Sequence, residues 1–262
     1  MKLLLVDGLN LVRRIFSAIP GLSEAEVNTE HQEQIARSST QSLRRALKTH
    51  NPSHCVAIFE SRAETWRHRL LPQYKQSRSA VPELLIAAMP TIKSEFLKSG
   101  VNSYELTGFE ADDIIATFAT RTAQNQGHSV ILSTDRLHCQ LLSRHIQIYD
   151  HFGERFLDEA SVLKKFSTTP EKIPDVMGLA GDSSLSIPGV KSVGIKTAAR
   201  LVNQYGSLRS VLDNVPIIPG ALGGNLEAGQ KDATLAYRLF QLRTDIELGV
   251  NLKSYRLAND TN

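Results

Sequence analysis

The chain has 262 residues, 41% hydrophobic and 22% charged, with a net charge of +3 and an isoelectric point near 8.8. That is enough apolar material for a sizeable core, and the absence of any run of about 18 apolar residues excludes a membrane-spanning helix. Two isolated cysteines and eight scattered histidines without an HExxH pattern exclude a disulfide scaffold and the common zinc hydrolases.

The opening MKLLLVDGLN is too short for a signal peptide, and its KLLLV run (2–6) predicts a strand ending at Asp7. A helical pattern over 30–49 follows, then the strand CVAIF (55–59), which ends at Glu60. Next comes RHRLLPQYKQSR (67–78), a basic stretch with Arg67, Arg69, Lys75 and Arg78, and with Trp66 and Tyr74 placed to stack on bases. Helices are predicted over 83–99 and 110–126, the second opening on Glu110, Asp112 and Asp113 and ended by Gly127. The strand SVILS (129–133) leads to Asp135, and a weaker strand, IQIY, covers 146–149. Cys55 and Cys139 sit in apolar contexts and read as reduced core thiols of a cytoplasmic protein. After about residue 165 the strand signal stops, and helices are predicted over 171–180, 195–204, 207–213 and 228–242, with a looser Gly/Pro stretch, PIIPGALGGNLEAG, before the last.

Alternation of short apolar runs with helices predicts an α/β fold with a parallel central sheet flanked by helices over 1–165, and a helical subdomain over 166–262. In an open parallel sheet the carboxyl ends of the strands form one edge, where ligands bind. Asp7, Glu60 and Asp135 end three strands, and a crossover helix starting at Glu110, Asp112 and Asp113 begins at the same edge. Taken singly, each acid is an ordinary cap or turn residue. Six acids from four segments in one hollow repel one another, and a bound cation offsets that repulsion. Carboxylates without His or Cys suit Mg²⁺ or Mn²⁺, and such a site implies hydrolysis of a phosphate ester.

The stretch GDSSLSIPGVKSVGIKTAARL (181–201) is not a nucleotide-binding P-loop, because Ile195 separates Gly194 from Lys196 and no apolar strand precedes it. It reads as helix, Gly-rich hairpin, helix. Exposed backbone N–H groups there hold a phosphate without reading bases, and Lys191, Lys196 and Arg200 add positive charge. No nucleotide cofactor is expected.

Together these motifs resemble the 5′-nuclease (flap endonuclease) superfamily, a PIN-like fold with a helix-hairpin-helix-type DNA-binding subdomain. VDGLN, Y-K-x-x-R, E-A-D-D, S-T-D and G-D-x-x-x-x-I-P-G-V-x-x-V-G-x-K-T-A occur here in that family's order, and RTDIEL at 243–248 matches its C-terminal pattern. The size is most similar to the small stand-alone bacterial exonuclease-nine type. The resemblance implies a Mg²⁺-dependent, sequence-independent enzyme that cuts DNA where a 5′ flap meets a duplex. It places Tyr74, Lys75 and Arg78 in a helical arch, about 62–95, over the active site. It implies DNA binding at Lys191, Ser192, Val193, Gly194, Ile195, Lys196 and Thr197, and K⁺ held at Leu179, Ala180, Pro188, Val190 and Val193. Where fuller members carry further acidic or amide side chains this chain has Leu137, Leu185 and Ser186, and Glu60 stands for an Asp. The implication is one Mg²⁺ (or Mn²⁺) site around Asp7, Glu60, Glu110, Asp112 and Asp113, and a weakened second site keeping Asp135 and Asp182.

The expectation is therefore a 5′ flap endonuclease, monomeric, with Asp112 and Glu110 as the principal ligands and Lys75 or Arg78 stabilising charge on the phosphate. The alternative is a catalytically depleted protein that binds branched DNA, favoured by Leu137 and Leu185 and opposed by the E-A-D-D run and Asp7. A ribonuclease of the PIN type is opposed by the DNA hairpin at 189–197.

Overall fold

The computed structural model of the chain describes residues 1–22 and 25–258. Its centre is β1 (Lys2–Asp7), whose Leu3, Leu4, Leu5 and Val6 are all fully buried. β2 (His54–Ile58) pairs with one edge of β1 and β4 (His128–Leu132) with the other, both parallel. β3 (Asn102–Tyr104) lies beyond β2, and β5 (Ile146–Asp150) beyond β4, again parallel. The antiparallel β6 (Arg155–Leu157) closes the order β3-β2-β1-β4-β5-β6.

The strands read as unbroken apolar runs because both faces of the sheet are covered. Leu3 and Leu5 of β1 point into one apolar cluster, with Val56, Ile58 and Ile131, whereas Leu4 and Val6 point into the other, with Cys55, Ala57 and Val130. The second cluster is capped by α1 (Gly8–Ala18), α2 (Thr29–His50) and α4 (Glu83–Lys98). The first is capped by α5 (Ala111–Gln124) together with α7 (Ile173–Ala180) and α11 (Gln230–Phe240) from the C-terminal part. Between β2 and α4 lies the short α3 (Trp66–Leu70), and α6 (Glu159–Phe166) follows β6. A third cluster joins α7 and α11 to α8 (Ile195–Tyr205), α9 (Leu208–Asp213) and α10 (Gly220–Ala228). Both cysteines are free and buried, and no helix among the described residues is long and apolar enough to cross a membrane.

The parallel sheet and the helical C-terminal part agree with the sequence expectation. The segment expected as an arch consists of α3, a run of turns over 71–78 and most of α4. Several elements were not anticipated. Strands β3 and β6, three residues each, are too short to carry a periodic signal. α1 was legible, since Leu11, Val12, Ile15 and Phe16 recur at helical spacing and all are buried. The Gly/Pro stretch expected to be loose forms α10, where Gly223 lies so close to the Ile218 carbonyl that a side chain would collide with it.

Candidate active site

Strand order changes direction at β1, whose neighbours lead outward to β2 on one side and β4 on the other, so a crevice opens at their carboxyl ends. Asp7 stands at that point. It serves as the N-cap of α1, one oxygen accepting from the Asn10 N–H at 3.1 Å, while the other accepts from Ser133 Oγ at 2.8 Å. Asp135 likewise caps the 3-10 helix Arg136–Leu141, accepting from the Leu137 N–H at 2.8 Å. Glu110 occupies the N-cap position of α5 but makes no capping hydrogen bond, so its carboxylate is free to reach other partners. Capping thus explains the local position of Asp7 and Asp135, and the sheet topology explains their convergence.

The resulting hollow, about 180 Å³, is lined by Asp7, Glu60, Glu110, Asp112 and Asp135, and by Arg13, Arg14, Lys75 and Arg78. Lys75 reaches across it, its Nζ 2.6 Å from Glu110 and 3.3 Å from Glu60. Burial followed by the charge of Asp112 pushes the Asp7 carboxyl up to about 7, and the same two causes raise Asp135. Glu60 is raised by burial against the pull of Lys75. Burial opposes ionisation of Asp112 as well, but the adjacent His138, with Lys75 and Arg67, holds it well below the usual carboxylate range. Buried, crowded acids resist ionisation, and a divalent cation among them would offset that cost.

Five of the six acids expected at this edge line the hollow. Asp113 does not, because neighbouring helix positions point about 100° apart. It is fully buried and its oxygens accept from both Arg67 Nη atoms (2.6 and 2.9 Å), from Trp66 Nε1 (2.8 Å) and from the Arg243 N–H (3.0 Å). Glu110 and Asp113 do share a helix face, and Arg67 lies between them, 3.1 Å from Glu110. Arg67, read from sequence as part of a basic surface, is a buried ion-pair centre whose Nε also donates to the Leu239 carbonyl. Tyr74 is buried too, its hydroxyl donating to Glu110 at 3.1 Å, so its ring is not available to stack on a base. Asp182 sits outside the hollow in the turn after α7, accepting from the N–H and hydroxyl of Ser184. That turn nevertheless touches the basic segment: the Lys75 N–H donates to the Leu185 carbonyl at 2.8 Å, and Ser77 Oγ lies 3.1 Å from Ser186 Oγ.

Several residues of the site escaped the sequence reading. Asn10, Arg13 and Arg14 line the hollow from α1, and their i, i+3, i+4 spacing right after Asp7 was the available signal. Asn10 also ties α1 to the β4 end, donating to Thr134 Oγ1 at 3.0 Å and accepting from its N–H at 3.2 Å. His138 gave no signal, being an isolated histidine in an apolar stretch. Its Nε2 lies 3.2 Å from Asp112 Oδ1, and the expectation of a site without histidine is corrected. Burial lowers its proton affinity, but Asp112, Asp135 and Asp7 outweigh this and push it up to about 9.

The hairpin lies between α7 and α8. Gly181 has φ of +66°, and both it and Gly189 pack backbone to backbone, with no room for a side chain on either. The Leu179 carbonyl accepts from the Val190 N–H at 2.8 Å and the Val190 carbonyl from the Val193 N–H at 3.0 Å, so each retains one lone pair. Ala180 ends α7 and Pro188 precedes Gly189. Val193 is buried, whereas Lys191, Ser192, Gly194 and Lys196 are exposed and Ile195 and Thr197 are half-buried. α8 begins at Gly194 without a side-chain cap, which leaves its first N–H groups open at the surface.

Two family models match the chain: the 5′-3′ exonuclease N-terminal resolvase-like domain over residues 2–167 and the 5′-3′ exonuclease C-terminal SAM fold over 168–262. The chain is 41% identical over 261 residues to the flap endonuclease Xni of Photorhabdus laumondii, covering 98% of both, and 39% identical over 259 residues to that of Pectobacterium atrosepticum, covering 98% of this chain and 95% of the other. Among solved structures it resembles a bacteriophage T5 5′-exonuclease with bound zinc, with a TM-score of 0.78 at 21% identity over 93% of this chain and 90% of that one. The catalytic core of Rad2 in complex with DNA superposes with a TM-score of 0.61 at 15% identity, covering 98% of this chain and 82% of that one. At such identities these two likenesses speak to the fold.

Proposed function

The chain belongs to the 5′-3′ exonuclease family, and from that membership we propose that it is a structure-specific 5′ flap endonuclease that hydrolyses DNA phosphodiester bonds with Mg²⁺. The observation that carries the reading is the hollow itself, where five carboxylates from four segments meet four basic side chains at the carboxyl edge of the sheet. Asp7, Glu60, Glu110, Asp112 and Asp135 are the residues that would hold the metal, with Asp112 placed best because among the described residues only the His138 side chain engages its carboxylate. A divalent cation held by these residues would supply positive charge to the phosphate and lower the pKa of a bound water.

The remaining work falls to the chain's own side chains. Lys75 donates to Glu110 and Glu60 and stands ready to transfer those hydrogen bonds to phosphate oxygens, where charge builds during the reaction. Arg78, Arg13 and Arg14 add cationic wall on which the phosphate backbone settles without base recognition. The hydrogen bond from the Lys75 N–H to the Leu185 carbonyl couples this wall to the hairpin part of the chain. Duplex DNA is assigned to the open N–H groups of α8 with Lys191, Ser192, Lys196 and Thr197, and K⁺ to the carbonyls of Leu179, Ala180, Val190 and Val193 beside Pro188. We assign the protein to the cytoplasm and to a monomeric state.

The test is cleavage of a 5′-flap duplex in Mg²⁺ and K⁺, wild type beside Asp112→Ala. Cutting by the wild type and at least a 10²-fold loss in the variant is expected. A second reading, a depleted protein that binds branched DNA without cutting it, is favoured by Leu137 and Leu185, which contribute no ligand. Tight flap binding with no cutting by either protein would establish that reading instead.

A further inference from the structure

We propose that His138 is itself a ligand of the divalent-metal site, so that one imidazole nitrogen joins the carboxylate oxygens of Asp7 and Asp112 and the site binds Mn²⁺ in preference to Mg²⁺. This rests on the metal-site reading given above and refines its donor set.

Three observations carry it. His138 is only 1% exposed, held in the 3-10 helix Arg136–Leu141 that leaves the end of β4. Among the described residues, neither of its ring nitrogens has a well-aligned hydrogen-bond partner. A buried polar group without a partner costs free energy, so such a group needs a reason to be there. Lastly, ligand atoms of Asp7, Asp112 and His138 all lie within 4.8 Å of one another.

The geometry suits coordination better than a structural ion pair. His138 Nε2 stands 3.2 Å from Asp112 Oδ1, and two neighbouring donors on one six-coordinate ion at about 2.1 Å are about 3 Å apart. As an ion pair the contact is poorly directed, and it leaves Nδ1 with nothing to bond. A ring nitrogen changes which ion the site prefers. Mg²⁺ takes oxygen donors almost exclusively, whereas imidazole binds first-row transition metals with increasing affinity from Mn²⁺ upward. The residue just before, Leu137, offers no donor atom, whereas His138 does.

The experiment uses the full chain loaded with one equivalent of Mn²⁺ and reads nitrogen coordination directly by pulsed electron paramagnetic resonance. A ¹⁴N coupling is expected in the wild type and its loss in His138→Gln. Calorimetric titration of both proteins should show Mn²⁺ affinity weakened about tenfold or more by the substitution and Mg²⁺ affinity changed much less. Absence of the ¹⁴N coupling from the wild type, with Mn²⁺ bound, overturns the proposal, and this holds even if His138→Gln fails to fold. Equal weakening of Mn²⁺ and Mg²⁺ in a folded His138→Gln also overturns it. Asp112→Ala separates the two levels: if that change leaves binding of both ions intact, the metal-site reading itself falls.

Discussion

Asp112 and Asp113 are adjacent in sequence and differ completely in what they touch. Asp112 opens on the hollow beside His138, while Asp113 is enclosed by Arg67, Trp66 and the Arg243 backbone. Removing charge from the two therefore has opposite consequences. Asp112→Asn should abolish cleavage and leave the fold intact. Asp113→Asn removes one of the two buried anionic partners of the Arg67 guanidinium and leaves it Glu110 alone, and breaking such a buried pair costs about 3–5 kcal/mol. For a chain of this size that lowers the melting temperature by on the order of 10 °C. Thermal unfolding of the two variants side by side checks this, and an unchanged melting temperature for Asp113→Asn would show that the buried pair contributes little.

At the level of elements, the α7–hairpin–α8 unit joins a packing requirement to an open surface. Gly189 lies against the Ala180 carbonyl with no space for a methyl group, whereas a side chain at Gly194 would meet nothing. The backbone at Gly194, with φ of −91° and ψ of 176°, is one that any residue adopts and that suits a helix N-cap. Gly189→Ala should therefore destabilise the chain by about 1–3 kcal/mol or more, through forced displacement of α7 from the hairpin. Gly194→Ser should keep or slightly raise stability, since serine caps a helix at least as well as glycine. If phosphate docks on the first N–H groups of α8, the same substitution crowds the site and weakens duplex binding. Melting curves together with binding of a duplex to Gly194→Ser test both halves, and unaltered affinity would remove the hairpin from the interface.

The whole molecule is knit by one apolar cluster that runs from Leu3 and Leu5 of the sheet to Phe240, Ile246 and Tyr255 of the C-terminal part, and by Arg67, which donates to the Leu239 carbonyl. Site electrostatics are therefore felt as global stability. Asp7 and His138 both hold their protons more tightly when folded, at about 7 and about 9 against ordinary values of 3.8 and 6.5. Their stabilisation is complete in acid and is lost as pH rises, through about 4 to 7 for Asp7 and about 6.5 to 9 for His138. Asp112, held low, works the other way, and its contribution is lost only in acid. With metal chelated, the melting temperature should fall by several degrees between pH 6 and 9.5. Saturating Mg²⁺ or Mn²⁺ should flatten that slope, because the cation binds the ionised carboxylates. A flat profile in chelator would contradict the assigned proton affinities.

Amino-acid order alone determined the parts that depend on neighbours within one turn or one strand. The apolar runs at 2–6, 55–59 and 129–133 read as short strands buried on both faces, and an acid after each marked which sheet edge carries charge. The glycines and lysines around 189–196 marked the hairpin in the same local way. Tertiary structure alone decided which of those polar groups remain available. Arg67 and Tyr74 look like surface residues in sequence, and what buries them is Asp113 and Glu110, with Leu239 arriving from 172 residues away. His138 gains meaning only because the turn after β4 swings it beside Asp112 on α5. A buried polar side chain takes its role from whatever distant group satisfies it, and local sequence carries no record of that partner.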